Sequence, residues 1–263
     1  MSPVEPVSLI TGASAGIGAA LAREFARHGH ALVLTARREA DLNTLADEIA
    51  AAGHQRPRVI AADLATREGT ERLAEMLGAR GLEPAYVVNN AGFGLLGPAA
   101  RLKRADQLAM IELNMRALTD LTLRFLPSVK RQRGGILNVA SVAAFLPAPG
   151  MAVYHASKAY VLSLSEALYA ELKAEGVRIC ALCPGPVATG FNARAGLPDD
   201  YFPGLLGQSA ERVARAGYDG LMRGRRVVVP GAPNRVTTFL PRLFPRSLVL
   251  AYMSWRWDRA RGG

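Results

Sequence analysis

The chain has 263 residues, 50% of them hydrophobic and 21% charged, with a formal charge of +10. That length suits one large α/β domain, and the composition excludes a disordered or fibrous chain. The positive balance favours anionic partners in general. The basic residues are scattered, only four of them are Lys, and no basic run, recognition helix or zinc-finger pattern points to nucleic acid.

Short apolar runs alternate with longer helical patterns from the start. Val7 to Ile10 reads as a strand, followed by a glycine-rich turn, Thr11 to Gly18, and a helix to about His28. Because the first apolar run enters that turn directly, no cleaved leader is expected. Ala31 to Thr35 is the second strand and Glu39 to Ala52 its helix; Arg58 to Ala61 precedes Asp63 and a helix over about 66–77. Ala85 to Val88 leads into Asn89, Asn90, Ala91 and Gly92. A long helix is predicted over Arg104 to Arg131, kinked or ended by Pro127. Gly135 to Val139 is the fifth strand, ending at Ser141, and Ala152 to Ala174 is a helix with Val161, Leu164, Leu168 and Leu172 in one stripe. Val177 to Cys183 is the sixth strand, a Gly/Pro-rich loop covers 184–208, a helix starts near Ala210, and Arg226 to Val229 is the last strand. Strands alternating with helices predict a single doubly wound parallel sheet of Rossmann type, with helices on both faces.

Cys180 and Cys183 have a C-x-x-C spacing, but no second Cys/His cluster accompanies them, so no metal site is expected. Residues three apart on a strand face opposite ways, which keeps the thiols apart. Both read as core residues of a protein in a reducing compartment, the cytoplasm.

The turn at Thr11 to Gly18 sits between strand and helix, where small residues let a pyrophosphate approach backbone N–H groups at a helix N-terminus. Its spacing is G-x-x-x-G-x-G, not the G-x-G-x-x-G of the dinucleotide fingerprint. The second strand ends in Arg37 and Arg38 with no carboxylate before Glu39. Guanidinium attracts a ribose 2′-phosphate that Asp would repel, which selects NADP(H) over NAD(H).

Tyr154 and Lys158 are four apart on one helical face, and Ser141 ends a strand at the carboxyl edge of the sheet. An ammonium and an oxidised nicotinamide near a phenol both favour the phenolate. The phenol can also donate a proton to a carbonyl oxygen as hydride reaches its carbon, with a Ser hydroxyl holding that oxygen.

Together these motifs resemble the single-domain branch of the short-chain dehydrogenase/reductase family, over about Val7 to Pro230. The family's glycine motif matches Thr11 to Gly18, its N-N-A-G matches Asn89 to Gly92, its helix Asn matches Asn114, its Ser Ser141, its Y-x-x-x-K Tyr154 and Lys158, and its P-G loop Pro184 to Thr189. The resemblance implies an NADP(H)-dependent oxidoreductase acting on a carbonyl or alcohol. Tyr154 would be the acid or base, Ser141 would polarise the substrate, Lys158 would hold the nicotinamide ribose and lower the phenol's pKa, and Asn114 would position a relay water. Cofactor contacts would come from Gly12, Ser14, Gly16, Ile17, Gly18, Arg37, Arg38, Asp63, Asn90, Ala91, Gly92, Tyr154, Lys158, Pro184, Gly185, Val187 and Thr189. Some NADP(H)-preferring members carry a second basic residue where this chain has Ala15, so selectivity would rest on Arg37 and Arg38, helped by Ser14. The competing reading is an NADP(H)-sensing regulator without turnover, which the presence of Ser141, Tyr154, Lys158 and Asn114 counts against.

Residues 190–208 are expected to form a substrate lid, with Phe191, Leu197, Tyr201, Phe202, Leu205 and Leu206 making the pocket apolar. His155, one position from Tyr154, reads as structural or pocket-lining. The segment 231–263 is a C-terminal extension; its part from Asn234 to Trp257 could lie on an anionic membrane surface, making a peripheral membrane reductase, but a helix packed on its own domain is the preferred reading. The resemblance also implies a homodimer or homotetramer through the two long helices.

Overall fold

In the computed structural model, which describes residues 4–187, 195–196 and 206–262, the apolar runs build one seven-stranded sheet. Its strands are β1 (Glu5–Thr11), β2 (Leu32–Ala36), β3 (Arg58–Ala61), β4 (Leu82–Asn89), β5 (Gly135–Val139), β6 (Arg178–Leu182) and β7 (Val227–Val228). They lie in the order β3-β2-β1-β4-β5-β6-β7, and every neighbouring pair is parallel. The winding reverses at β1, between β2 and β4. In such sheets that reversal opens a crevice at the strands' carboxyl ends.

The helices are α1 (Gly16–Arg27), α2 (Glu39–Ala51), α3 (Arg67–Ala79), α4 (Arg104–Ile111), α5 (Leu118–Arg131), α6 (Ala152–Leu172), α7 (Ala210–Met222), α8 (Ala232–Phe239) and α9 (Arg246–Gly262). They cover both faces of the sheet. One core joins Leu21 and Phe25 of α1 and Leu221 of α7 to Leu34 and Leu182. The other joins Leu73, Leu121, Phe125 and Leu168 to Ile136 and Ile179. Alternation along β6 sends Ile179 to one core and Cys180 to the other, as a period of two requires. Cys183 packs with Ala140 and Val161. Both thiols are free and buried, and burial pushes each up to about 12.

Two predicted elements differ in detail. The helix expected over 104–131 is interrupted by a π turn, Glu112–Ala117, between α4 and α5. Pro127 does not end α5, which runs on to Arg131. Proline withholds its N–H from the Leu123 carbonyl, but Leu123 lies on the exposed side of the helix, where water can serve it. Among the described residues no helix is long and apolar enough to cross a membrane.

Candidate active site

A cleft of about 890 Å³ opens at the carboxyl ends of β1, β2, β4 and β5. At one end lies the glycine turn. The residue before α1, Ala15, has no capping side chain, and the first turn carries no acid. The helix therefore presents bare N–H groups and a positive dipole end. The turn is packed as tightly as its sequence allows, since a Cβ on Gly18 would fall 2.2 Å from the Gly12 carbonyl oxygen. Asn90 staples it to β4, its Nδ2 donating to the Thr11 and Gly12 carbonyls at 3.0 and 3.1 Å. Asn89 reaches instead across the sheet, donating to Thr122 Oγ1 and Asn138 Oδ1, both at 2.9 Å.

The cations at the end of β2 are not equivalent. Arg38 is tied down, its Nε pairing with Asp41 and its NH2 donating weakly to Ser14 Oγ at 3.4 Å. Arg37 is exposed, lines the cleft and makes no ion pair or hydrogen bond with any described residue. Asp63 also lines the cleft, with Oδ1 accepting the Ala65 N–H. An unpaired guanidinium, an uncapped helix end and glycines that admit backbone approach fit a dinucleotide bearing a 2′-phosphate.

At the other end the chemistry-bearing side chains meet. Ser141 follows β5 and caps a 3₁₀ turn, Val142–Phe145, its Oγ accepting the Ala143 N–H at 3.1 Å. Its hydroxyl is also in hydrogen-bond contact with the Tyr154 phenol. Tyr154 and Lys158 lie on the buried face of α6. Lys158 Nζ donates to the Val139 carbonyl at 2.8 Å and stands 5.9 Å from the centre of the Tyr154 ring. Burial pushes the phenol up to about 12 against the pull of the Ser141 hydrogen bond, and brings the ammonium down to about 8. In the protein alone, burial raises the phenol, and the expected lowering by Lys158 does not appear beside the pull of Ser141.

Asn114 occupies the π turn, a widening often found at functional sites. Its Nδ2 donates to the Phe93 carbonyl and Ser157 Oγ at 2.9 and 3.1 Å, and its Oδ1 accepts the Phe93 N–H at 3.1 Å. Both amide protons are committed to the protein, so the side chain braces the site rather than reaching into the cleft. A Cβ on Gly92 would sit 2.9 Å from Asn114 Oδ1 and 3.5 Å from Lys158 Nζ, so that glycine keeps the space between them clear.

Of the remaining sequence-predicted residues, Gly12, Ser14, Gly16, Ile17, Ala91, Gly92, Pro184, Gly185 and Val187 line the cleft. Thr189 lies outside the described residues, as do Phe191, Leu197, Tyr201, Phe202 and Leu205. Leu206 lines the cleft, and Ala195 packs with Phe93, Met151 and Tyr154. His155 also lines the cleft, its Nδ1 bonded to the Leu146 carbonyl at 2.8 Å. The sequence reading missed Asn234 and Thr237 of α8 and Met253, Arg256 and Trp257 of α9, all of which line it. Within the C-terminal extension, Trp257 lies against Gly150 and Arg242 over the Phe145 ring. The available signal was the three-and-four spacing of Met253, Arg256 and Trp257, which puts them on one helical face.

Residues 6–199 match the family model described as short chain dehydrogenase. The chain belongs to the short-chain dehydrogenase family. It is accordingly an oxidoreductase of that family. It is 34% identical over 220 residues to a serine 3-dehydrogenase of Agrobacterium fabrum, covering 80% of this chain and 85% of that one. Among solved structures it resembles a short-chain dehydrogenase from Sphingobium yanoikuyae in complex with NADPH, with a TM-score of 0.79, 33% identity, and coverage of 87% and 89%. A bulky-bulky ketone specific alcohol dehydrogenase from Comamonas testosteroni matches with a TM-score of 0.75, 30% identity, and coverage of 91% and 92%.

Proposed function

We propose that the chain is an NADP(H)-dependent carbonyl reductase for substrates with a largely apolar body. The observation that carries the reading is a buried Ser141–Tyr154–Lys158 group at one end of a cleft whose other end offers an unpaired Arg37. The similar dehydrogenase with bound NADPH supports the same cofactor. Arg37 would grip the 2′-phosphate, the bare N–H groups of α1 the pyrophosphate, Asp63 the adenine side, Lys158 the nicotinamide ribose, and Pro184 to Val187 the nicotinamide face.

When bound, NADP(H) would supply or accept hydride, and its oxidised form would bring a positive charge that favours the phenolate. The protein supplies the proton. A phenol pushed up to about 12 stays protonated near neutrality, so Tyr154 is held ready to donate to a carbonyl oxygen held by Ser141. The buried Lys158, brought down to about 8, exchanges protons near neutral pH and would reprotonate the tyrosine through solvent, with Gly92 leaving space between Asn114 and Lys158. The walls near Tyr154, formed by Leu96, Leu146, Ala148, Met151 and Trp257, suit an apolar ketone or aldehyde. The ketone-specific relative is consistent with this.

The test is NADPH oxidation against ketones, aldehydes and β-keto thioesters. Steady turnover of one class is the expected result, and NADPH binding without turnover of any would favour the sensing regulator. We further propose a cytoplasmic homodimer or homotetramer joined through α4–α5 and α6, with Leu108 and Leu123 exposed there; a monomeric mass by light scattering would contradict it. A second, peripheral-membrane reading is favoured by Phe239, Leu243, Phe244, Leu248 and Trp255, exposed beside Arg242 and Arg246. Flotation with anionic vesicles tests it, and a protein left in the bottom fraction rules it out.

A further inference from the structure

Helix α9 brings to the cleft a cation that the common core of the fold does not provide. Met253, Arg256 and Trp257 share one face of α9 and line the cleft, while Leu248, Tyr252 and Trp255 are exposed. Where this face meets the cleft is fixed by its neighbours. The Trp257 indole lies against Gly150 so closely that a Cβ there would fall 2.1 Å from the ring. Gly150 is four residues before Tyr154. The turn before α9 is anchored to the same region, with the Arg242 guanidinium 5.5 Å from the centre of the Phe145 ring. Arg256 therefore stands at the Ser141–Tyr154 end. Arg37 is at the other end, just after β2, which lies beyond β1 and β4 from β5.

Arg256 is partly buried and makes no ion pair or hydrogen bond with any described residue. Lys158 apart, it is the one cation among the described lining residues outside the Arg37–Arg38 end. The lining of the cleft also includes the apolar Leu146, Pro149, Met151, Met253 and Trp257, with Asn234 and Thr237 from α8. His155 adds no charge, because burial lowers its pKa from the usual imidazole value. A guanidinium partly withdrawn from water, with no partner among the described residues, is costly, and its planar fork matches a carboxylate in two parallel hydrogen bonds.

We propose that Arg256 forms an anion subsite and that the substrate is an oxo acid: a carbonyl carbon at Ser141 and Tyr154, an apolar chain along Met151 and Trp257, and a carboxylate at Arg256. This inference rests on the reductase reading and names its substrate class.

The experiment compares oxo acids of increasing chain length with their methyl esters, which keep the carbonyl and lose the charge. The full-length protein should prefer at least one acid to its ester by about 10- to 100-fold in kcat/KM, the range of a charged hydrogen-bonded pair. Arg256→Leu should bring that ratio close to one, chiefly through KM for the acid, and Arg256→Lys should restore part of it. In parallel, thermal shifts of the NADPH-bound protein should show stabilisation by the acid in the native protein and not in Arg256→Leu. Esters reduced as well as acids at every length, or acid kinetics unmoved by Arg256→Leu, would overturn the subsite and leave the reductase standing. An equal rise in the KM for NADPH would also overturn it, by assigning Arg256 to the cofactor. Binding of the acids through Arg256 with no NADPH oxidation by any carbonyl would instead sink the reductase reading.

Discussion

Burial at the floor of the cleft moves Tyr154 and Lys158 in opposite directions, each towards its neutral form. For Lys158 the folded value, about 8, lies below the ordinary 10.5. Its contribution to stability is therefore complete above about 10.5 and is lost as pH falls through 8. The cofactor-free fold should gain up to about 3 kcal/mol between those limits. Tyr154 acts with the opposite sign, costing stability as pH rises from its ordinary 10 towards 12. With only four lysines in the chain, NMR of protein carrying ¹³C-labelled lysine side chains can follow this titration directly. One resonance, absent in Lys158→Met, should have its midpoint near 8; a midpoint near 10 would mean that water reaches the amine. Arg37 offers a second residue-scale prediction. Arg37→Asp should raise the KM for NADPH by about 10- to 100-fold while favouring NADH, and an unchanged NADPH/NADH ratio would move the 2′-phosphate to Arg38. The spacing of Tyr154 and Lys158 and the absence of a carboxylate at the end of β2 were legible from the residues alone. The tethering of Arg38 to Asp41 and Ser14 was not, because side-chain pairing of that kind is decided only in the folded molecule.

Elements were legible wherever periodicity carried the signal. The alternation of strands and helices gave the parallel sheet, and the apolar stripe of α6 gave its buried face. The π turn at Glu112–Ala117 stayed hidden because one extra residue in a helical turn leaves the apolar pattern almost unchanged. Of the two outcomes expected at Pro127, a kink or an end, the helix does not end there, because the hydrogen bond that the proline removes belongs to exposed backbone that water can serve. The packing of α9 was the largest gap. Nothing in residues 246–262 states which surface they cover, and the answer lies partly in Gly150, whose missing side chain makes room for Trp257. Gly150→Ala combines that overlap with a φ of +78°, unfavourable to any side chain. It should displace α9, raise the KM for substrate several-fold and increase proteolysis of the C-terminal segment, with little change in NADPH affinity. A variant whose α9 is as protease-resistant as the native helix would refute this packing.

At the scale of the whole molecule, the reversal of winding at β1 places the glycine turn and the Ser141–Tyr154–Lys158 group along one crevice, which α8 and α9 also line. The order of motifs along the chain was enough to anticipate the first half of that arrangement. The two helices α8 and α9 belong to the part of the sequence beyond the residues that the family model matches. The proposed function depends on the Tyr154 hydroxyl delivering a proton to a carbonyl oxygen while NADPH occupies the cleft. The most direct measurement is turnover and NADPH binding in Tyr154→Phe, which removes one oxygen and preserves the ring. NADPH should bind with native affinity by fluorescence titration while turnover falls by about 10²- to 10⁴-fold. Retention of most of the native turnover by this variant, with its fold intact, would contradict the assignment of Tyr154 as the proton donor.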